Sequence, residues 1–188
     1  MSRIRFLNDS ARDHELTLFV RSPVPVAWRV LALARGLWRE IETSGYELDV
    51  SWNEGRSGMR APLQSLRETF VVEPHGRVLR LRRNGVSLRK WEVAVENAAR
   101  VRGGIACAIL ADGRLLLREA PIGFRQRCTL SIAPGLVAAL TRGAREGRPI
   151  EPPMLVQDLG RVDGPLLALA GSRESGYFLR RRGEAHGA

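Results

Sequence analysis

Six arginines stand in pairs two residues apart: Arg80 and Arg82, Arg125 and Arg127, Arg180 and Arg182. In an extended chain that spacing puts both members of a pair on one face. A guanidinium is a planar, permanently charged fork that donates in pairs to phosphate or carboxylate. If the three faces are coplanar they form a basic stripe, a candidate anionic-ligand surface for an acidic protein, a nucleic acid or a membrane surface. The competing reading is a set of edge strands whose charge discourages sheet-to-sheet association. Stacking aromatics are scarce beside these arginines, with only Tyr177 and Phe178 close in sequence.

Other chemistry is thinly represented. Gly55-Arg56-Ser57-Gly58 lacks the spacing of a nucleophile elbow, and no phosphate-binding loop, dinucleotide fingerprint or Cys-x-x-Cys occurs. Asp158 and Asp163 flank Gly160 without the ligand density of a calcium loop. Glu40/Glu42 and Glu47/Asp49 sit at strand spacing and read as solvated faces. Cys107 and Cys128 read as two small buried side chains rather than a disulfide framework. No catalytic, metal or cofactor site is expected.

The elements that must position the arginines are strands. Tyr46, Leu48, Val50 and Trp52 alternate with Glu47, Asp49 and Ser51, which predicts a strand with one buried face. Asp112-Gly113 stands between two apolar runs and fits a type I′ turn pairing Leu110 with Leu115 and Ala108 with Leu117. Phe124, Cys128, Leu130 and Ile132 then alternate with Arg125, Arg127, Thr129 and Ser131, giving a third strand. Further strands are expected at Glu15–Val20, Glu68–Glu73, Val78–Arg82 and from Trp91. Trp52 and Trp91 read as core; Trp28 and Trp38 are uncommitted. The stretches 26–44 and 134–147 carry helical spacing as well, so local pattern leaves them open.

Comparison of the two halves decides those stretches. Gly45–Ser51, leading to Glu54-Gly55-Arg56, is echoed by Gly135–Thr141, leading to Glu146-Gly147-Arg148. Glu15–Leu18 is echoed by Glu92–Val95, and a hairpin ends each half. The strand at 46–52 then implies one at 136–142, and 124–132 implies one at 37–43. The expectation is an all-β chain: two tandem antiparallel β-sandwich units, Ig-like or aegerolysin-like, related by internal duplication. They span 14–85 and 90–183, behind a loose N-terminal arm at 1–13 and before a tail at 184–188.

The formal net charge is +10, and Lys90 is the only lysine. GC-rich coding favours arginine over lysine without functional pressure, but the net charge still favours anionic partners. No apolar run approaches the ~18–20 residues of a membrane-spanning helix, and the first residues lack a secretory signal's apolar stretch. The expected setting is cytoplasmic, with no transmembrane segment.

The run Pro25-Val26-Ala27-Trp28-Arg29-Val30 through the Tyr46–Trp52 strand, with the Ala108–Leu116 hairpin and Glu146-Gly147, resembles an uncharacterised group of bacterial and fungal proteins. Members look like tandem β-sandwiches, and some carry the automated name aromatic ring-opening dioxygenase. That name implies a non-haem iron held by two histidines and a carboxylate. His14, His75 and His186 are the only histidines, and none stands in a His-x-Glu or His-x-Asp arrangement. The reading is therefore a non-enzymatic binding or assembly protein, possible as a homo-oligomer or larger assembly. Its alternative is a nucleic-acid-binding or anionic-membrane-binding protein; a metal-dependent dioxygenase ranks last.

Overall fold

The computed structural model describes residues 2–43, 45–86, 89–133 and 135–182. The tail at 184–188, His186, and Ser87 and Leu88 of the joint between the expected halves lie outside them. The described residues form sixteen strands and no helix. These are β1 (Ser2–Asn8), β2 (His14–Val20), β3 (Arg29–Leu33), β4 (Trp38–Thr43), β5 (Tyr46–Trp52), β6 (Ser57–Leu63), β7 (Glu68–His75) and β8 (Val78–Val86). They continue as β9 (Glu92–Asn97), β10 (Ile105–Ala111), β11 (Arg114–Arg118), β12 (Arg127–Ser131), β13 (Leu136–Thr141), β14 (Leu155–Arg161), β15 (Leu166–Ser172) and β16 (Gly176–Arg181). Both stretches with mixed spacing are strands: 26–44 holds β3 and β4, and 134–147 holds β13. No helix among the described residues is long and apolar enough to cross a membrane.

The strands divide into two units that differ from the expected 14–85 and 90–183. The first comprises residues 1–44 and 135–188, the second 45–134. The first unit holds sheets ordered β16-β15-β1-β4 and β14-β13-β2-β3; the second holds β11-β10-β5-β6 and β12-β9-β7-β8. The physical reason is strand pairing at long range. Residues of β2 pair with β13, as in Leu18 with Ala138, and β1 runs parallel to β15, as in Phe6 with Leu167. Adding eight to the strand numbers of β16-β15-β1-β4, modulo sixteen, gives β8-β7-β9-β12; the other two sheets correspond likewise. By this order β1 answers to β9 and β2 to β10, so Glu15–Leu18 matches part of β10 rather than Glu92–Val95.

Residues 1–13 are no loose arm. Phe6 is wholly buried and Leu7 nearly so, in a strand lying between β15 and β4. Full burial is worth about 1.5–3 kcal/mol for each such side chain. The charges that disguise β1 are cross-strand partners: Arg5 stands opposite Glu40 and Arg3 opposite Glu42, with Arg3 Nη2 2.6 Å from the Glu42 carboxylate and Arg5 also ion-paired with Glu40. Leu16, Leu18, Val20 and Trp28 are buried in this unit. Phe19, Ala27, Val137, Ala139 and Ile150 cluster separately, Phe19 and Val137 being directly paired. In the second unit Leu48, Val50, Val72, Val93, Val95, Ile105, Ile109 and Leu130 are wholly buried.

The Asp112-Gly113 turn has the positive φ of type I′, 52° and 71°, closing the pairs Ala111–Arg114 and Leu110–Leu115. A bulge then takes Leu116 out of register, so Leu117 meets Ile109 rather than Ala108. The third strand, β12, does not join this hairpin; it pairs with β9 in the unit's other sheet. Trp91 is half exposed because its own φ of 67° turns it away from the Val93–Val95 face.

Because the second unit is continuous, a 45–134 fragment carries every one of its strand pairings. It is expected to show a strand-type circular dichroism spectrum and cooperative denaturant unfolding. A 1–85 fragment separates β1 and β2 from β15 and β13 and should lack that transition. The reverse result would restore the sequential halves.

Candidate functional site

Within the second unit the two pairs of arginines do not adjoin. Arg80 and Arg82 lie on β8 and Arg127 on β12, the opposite edges of one four-stranded sheet, about 14 Å apart at ~4.8 Å per strand. Arg180 and Arg182 belong to the other unit, Arg180 on its edge strand β16. Arg80, Arg82, Arg127 and Arg180 are thus on edge strands, where charge blocks further strand addition, whereas Arg125 precedes β12 in a left-handed turn position and Arg182 follows β16. Most are also engaged. Arg80 and Arg82 Nε share one Glu73 oxygen, at 2.7 and 3.1 Å, and these bonds, ahead of simple charge attraction, hold the Glu73 carboxyl below its ordinary value. Arg180 reaches Asp9 at 2.9 Å. Arg182 lies 5.3 Å over the Trp38 ring, and Arg125 5.1 Å over Phe124. Exposed ion pairs are worth ~0–1 kcal/mol, so an incoming anion could break them, but Glu73 or Asp9 would repel it.

A different set of arginines converges in the second unit. An open cleft of about 840 Å³ is lined by Trp52, Glu54, Arg56, Arg102, Arg118 and neighbouring backbone. Two loops and the end of a strand build it. The first is the β5–β6 connection, where Asn53, Glu54 and Gly55 take φ of 52°, 58° and 82° in succession. Gly55 N donates to Trp52 O and Arg56 N to Asn53 O, both at 3.1 Å. This tight left-handed run closes the Trp52–Ser57 pair and leaves Arg56 exposed. The second loop joins β9 to β10. Gly104 N donates to Val101 O at 3.1 Å, with Arg102 and Gly103 between. Gly104 must remain glycine, since a Cβ there would stand 2.6 Å from Ile122 O. The third is the end of β11, where Arg118 stands opposite Ala108.

No carboxylate neutralises Arg56, Arg102 or Arg118 among the described residues, whereas arginines elsewhere, among them Arg3, Arg60, Arg83 and Arg180, have acidic partners. Glu54 is the one acid in the lining. Three guanidinium forks against one carboxylate, beside an indole and open to solvent, suit an anion. Strand alternation does not bring out this set, because Arg56 and Arg102 sit in loops and Arg118 stands alone at the end of β11. The legible signals were Gly103-Gly104 and the Asn53-Glu54-Gly55 turn.

No protein-family model, curated protein or solved structure matches this chain. Residues alone must carry the chemistry. Of the three histidines, His14 and His75 are among the described residues. His14 belongs to the first unit, hydrogen-bonded to Ser10 Oγ at 2.9 Å and edge-on to Tyr177. His75 is exposed at the end of β7, in the second unit. No three His, Cys, Asp or Glu side chains group as metal ligands among the described residues. Nor is the Ser10–His14 contact a nucleophile and its base. Ser10 is buried, and its hydroxyl donates to Asn8 Oδ1 at 2.7 Å, holding a loop.

The two cysteines are free thiols in different sheets of the second unit, Cys107 on buried β10 and Cys128 on β12. A hydrogen bond with Cys128, and then burial, push the Cys107 thiol up, out of the reactive range. At pH 8, thiol-specific labelling of the native protein should therefore modify no more than one cysteine, and denaturation should release the second. Equal labelling rates would contradict this arrangement.

Arg125 offers a second check. Its φ is 62°, and it occupies the place that Gly36, φ 72°, holds in the first unit: Arg125 N donates to Asn97 O as Gly36 N donates to Asn8 O. A left-handed non-glycine residue costs roughly 1–2 kcal/mol. Arg125→Gly is expected to stabilise the protein by about 1 kcal/mol, less the lost contact with Phe124, as read by equilibrium denaturation. A loss of stability would show that the stacking outweighs the strain.

Proposed function

We propose that the protein is a non-enzymatic binding protein whose ligand carries phosphate or sulfate groups, held in the cleft of the second unit. The observation that carries this reading is the convergence of Arg56, Arg102 and Arg118 without a carboxylate partner of their own. Charge-assisted bonds from a guanidinium to such an oxyanion contribute roughly twice as much as neutral ones. The surrounding backbone is anchored by tight turns, which limits the ordering cost on binding. The net charge of +10 would draw anions toward the surface from a distance.

Trp52 in the same lining favours one further reading, in which the anion is the backbone of a single-stranded nucleic acid and a base stacks on the indole. The two differ in what the indole does. Pyrophosphate engages the arginines alone, whereas an oligonucleotide should also quench Trp52 fluorescence.

Titration with pyrophosphate at low salt should give saturable binding, and Arg102→Gln with Arg118→Gln should weaken it by about tenfold or more, some 1.4 kcal/mol per factor of ten. For a short single-stranded DNA the affinity should fall with salt at a log–log slope of about −2, as three phosphate contacts imply. Binding of either probe that survives both substitutions unchanged would discard the cleft as the site. Absence of binding at low salt would discard the function.

A further inference from the structure

The first unit has a cleft of its own. It measures about 660 Å³ and is lined by Arg12, His14, Glu15, Arg142, Arg173 and Tyr177, among others. Its backbone place corresponds to that of the cleft in the second unit. There, Ser51 at the end of β5 stands opposite Ala106 near the start of β10. Here, Thr141 at the end of β13 stands opposite Glu15 near the start of β2. Each pair lines its own cleft. In both, the connection after the first strand (short in the second unit, residues 142–154 in the first) and the loop before the second supply arginines: Arg56 and Arg102 in one, Arg142 and Arg12 in the other.

The charge balance also compares. Arg12, Arg142 and Arg173 are exposed and without a carboxylate partner among the described residues, although two acids share their cleft. Those acids are occupied elsewhere. Glu15 Oε1 accepts from Thr141 Oγ1 at 2.7 Å and from Ala144 N at 3.0 Å, and Thr141 is in turn within 2.8 Å of the Thr17 hydroxyl. Asp13 Oδ1 accepts from Arg35 N at 2.8 Å. The guanidinium groups therefore keep their donors free for a ligand, and an aromatic ring, Tyr177, stands in the lining as Trp52 does in the other cleft.

We infer that this cleft is a second anion site, so that the protein binds two phosphate- or sulfate-bearing groups, one in each unit. The inference takes its ligand class from the reading of the second unit's cleft, but the site stands on its own residues.

Calorimetric titration of the full-length protein with pyrophosphate reads the number of sites. The wild type is expected to bind two equivalents, Arg142→Gln with Arg173→Gln one, and Arg102→Gln with Arg118→Gln one. The substituted side chains are exposed, and unchanged circular dichroism and melting temperature verify folding; a pair that melts earlier is replaced by the corresponding Arg→Lys pair, which keeps the charge and loses the fork. One equivalent in the wild type, abolished by the Arg102 and Arg118 changes, would overturn the second site and leave the first. One equivalent abolished by the Arg142 and Arg173 changes would do the opposite. No binding would overturn both. Two equivalents that persist through the Arg142 and Arg173 changes would place the second anion elsewhere and overturn this inference alone.

Discussion

Two buried asparagines hold the places from which everything else departs. Asn8 ends β1 and Asn97 ends β9, the strands that run parallel to β15 and β7 in the two units. Both side chains are wholly buried. Asn8 Nδ2 donates to Leu33 O and Arg12 O, both at 2.7 Å, while its Oδ1 accepts from Ser10 N at 3.0 Å. Asn97 Nδ2 donates to Ile122 O at 3.1 Å, and its Oδ1 accepts from Ala99 N at 3.0 Å. Their backbones are tied equally: Asn8 N to Leu37 O, and Asn97 N to Gln126 O. Each asparagine therefore joins the end of a buried strand to the loop that follows and to a connection between the two sheets of its unit, β3–β4 or β11–β12. Loss of one such amide leaves several buried groups unpaired, at about 1–3 kcal/mol apiece. An exposed ion pair such as Arg180–Asp9 contributes ~0–1 kcal/mol. The polar interactions that decide the architecture are thus neutral and internal, even though the sequence is conspicuous for its charge.

The loops that the asparagines fix are also those that lead to the clefts. Residues 9–13 carry Arg12, and residues 98–104 carry Arg102. A buried amide that pins the first residues of each loop limits where an arginine four or five residues later can go. Site and fold are therefore linked by covalent proximity, and a ligand meets a frame that is already in place.

Period-two alternation made the strands legible wherever one face is dry and the other wet. β5 shows it residue for residue, and the Asp112-Gly113 turn is read correctly because two successive positive φ values leave few choices. Alternation fails where both faces are occupied. In β1, Arg3 and Arg5 look like solvent-facing residues of a loose segment because their partners, Glu42 and Glu40, are some forty residues away. Trp91 extends an alternating run by sequence but not by backbone, since a left-handed φ breaks the period at that residue. The division into units was beyond local reading for a related reason. Neighbouring strands in sequence are usually neighbours in a sheet, whereas here β2 pairs with β13 across more than a hundred residues. Such closure is slow in entropic terms and leaves no local trace.

The arginines repeat this contrast. Pairs at strand spacing caught the eye, but the edges of a sheet are where charge is needed for the chain's own protection. The arginines of the clefts sit in loops, apart from Arg118 at the end of β11, and only the fold brings them together. What distinguishes the two clefts is a pair of register positions. Ala106 and Ser51 in the second unit are answered by Glu15 and Thr141 in the first, and the added carboxylate takes the threonine hydroxyl as its partner. Against three arginines each, the second unit's lining carries Glu54, while the first carries Asp13 and Glu15. The same backbone frame thus holds a more positive and a less positive version of one cleft. Since the first-unit acids already accept hydrogen bonds from the protein, their effect on a ligand is through charge alone, at a distance and open to solvent screening. The second unit's cleft should be the tighter of the two, and the difference should narrow as salt rises.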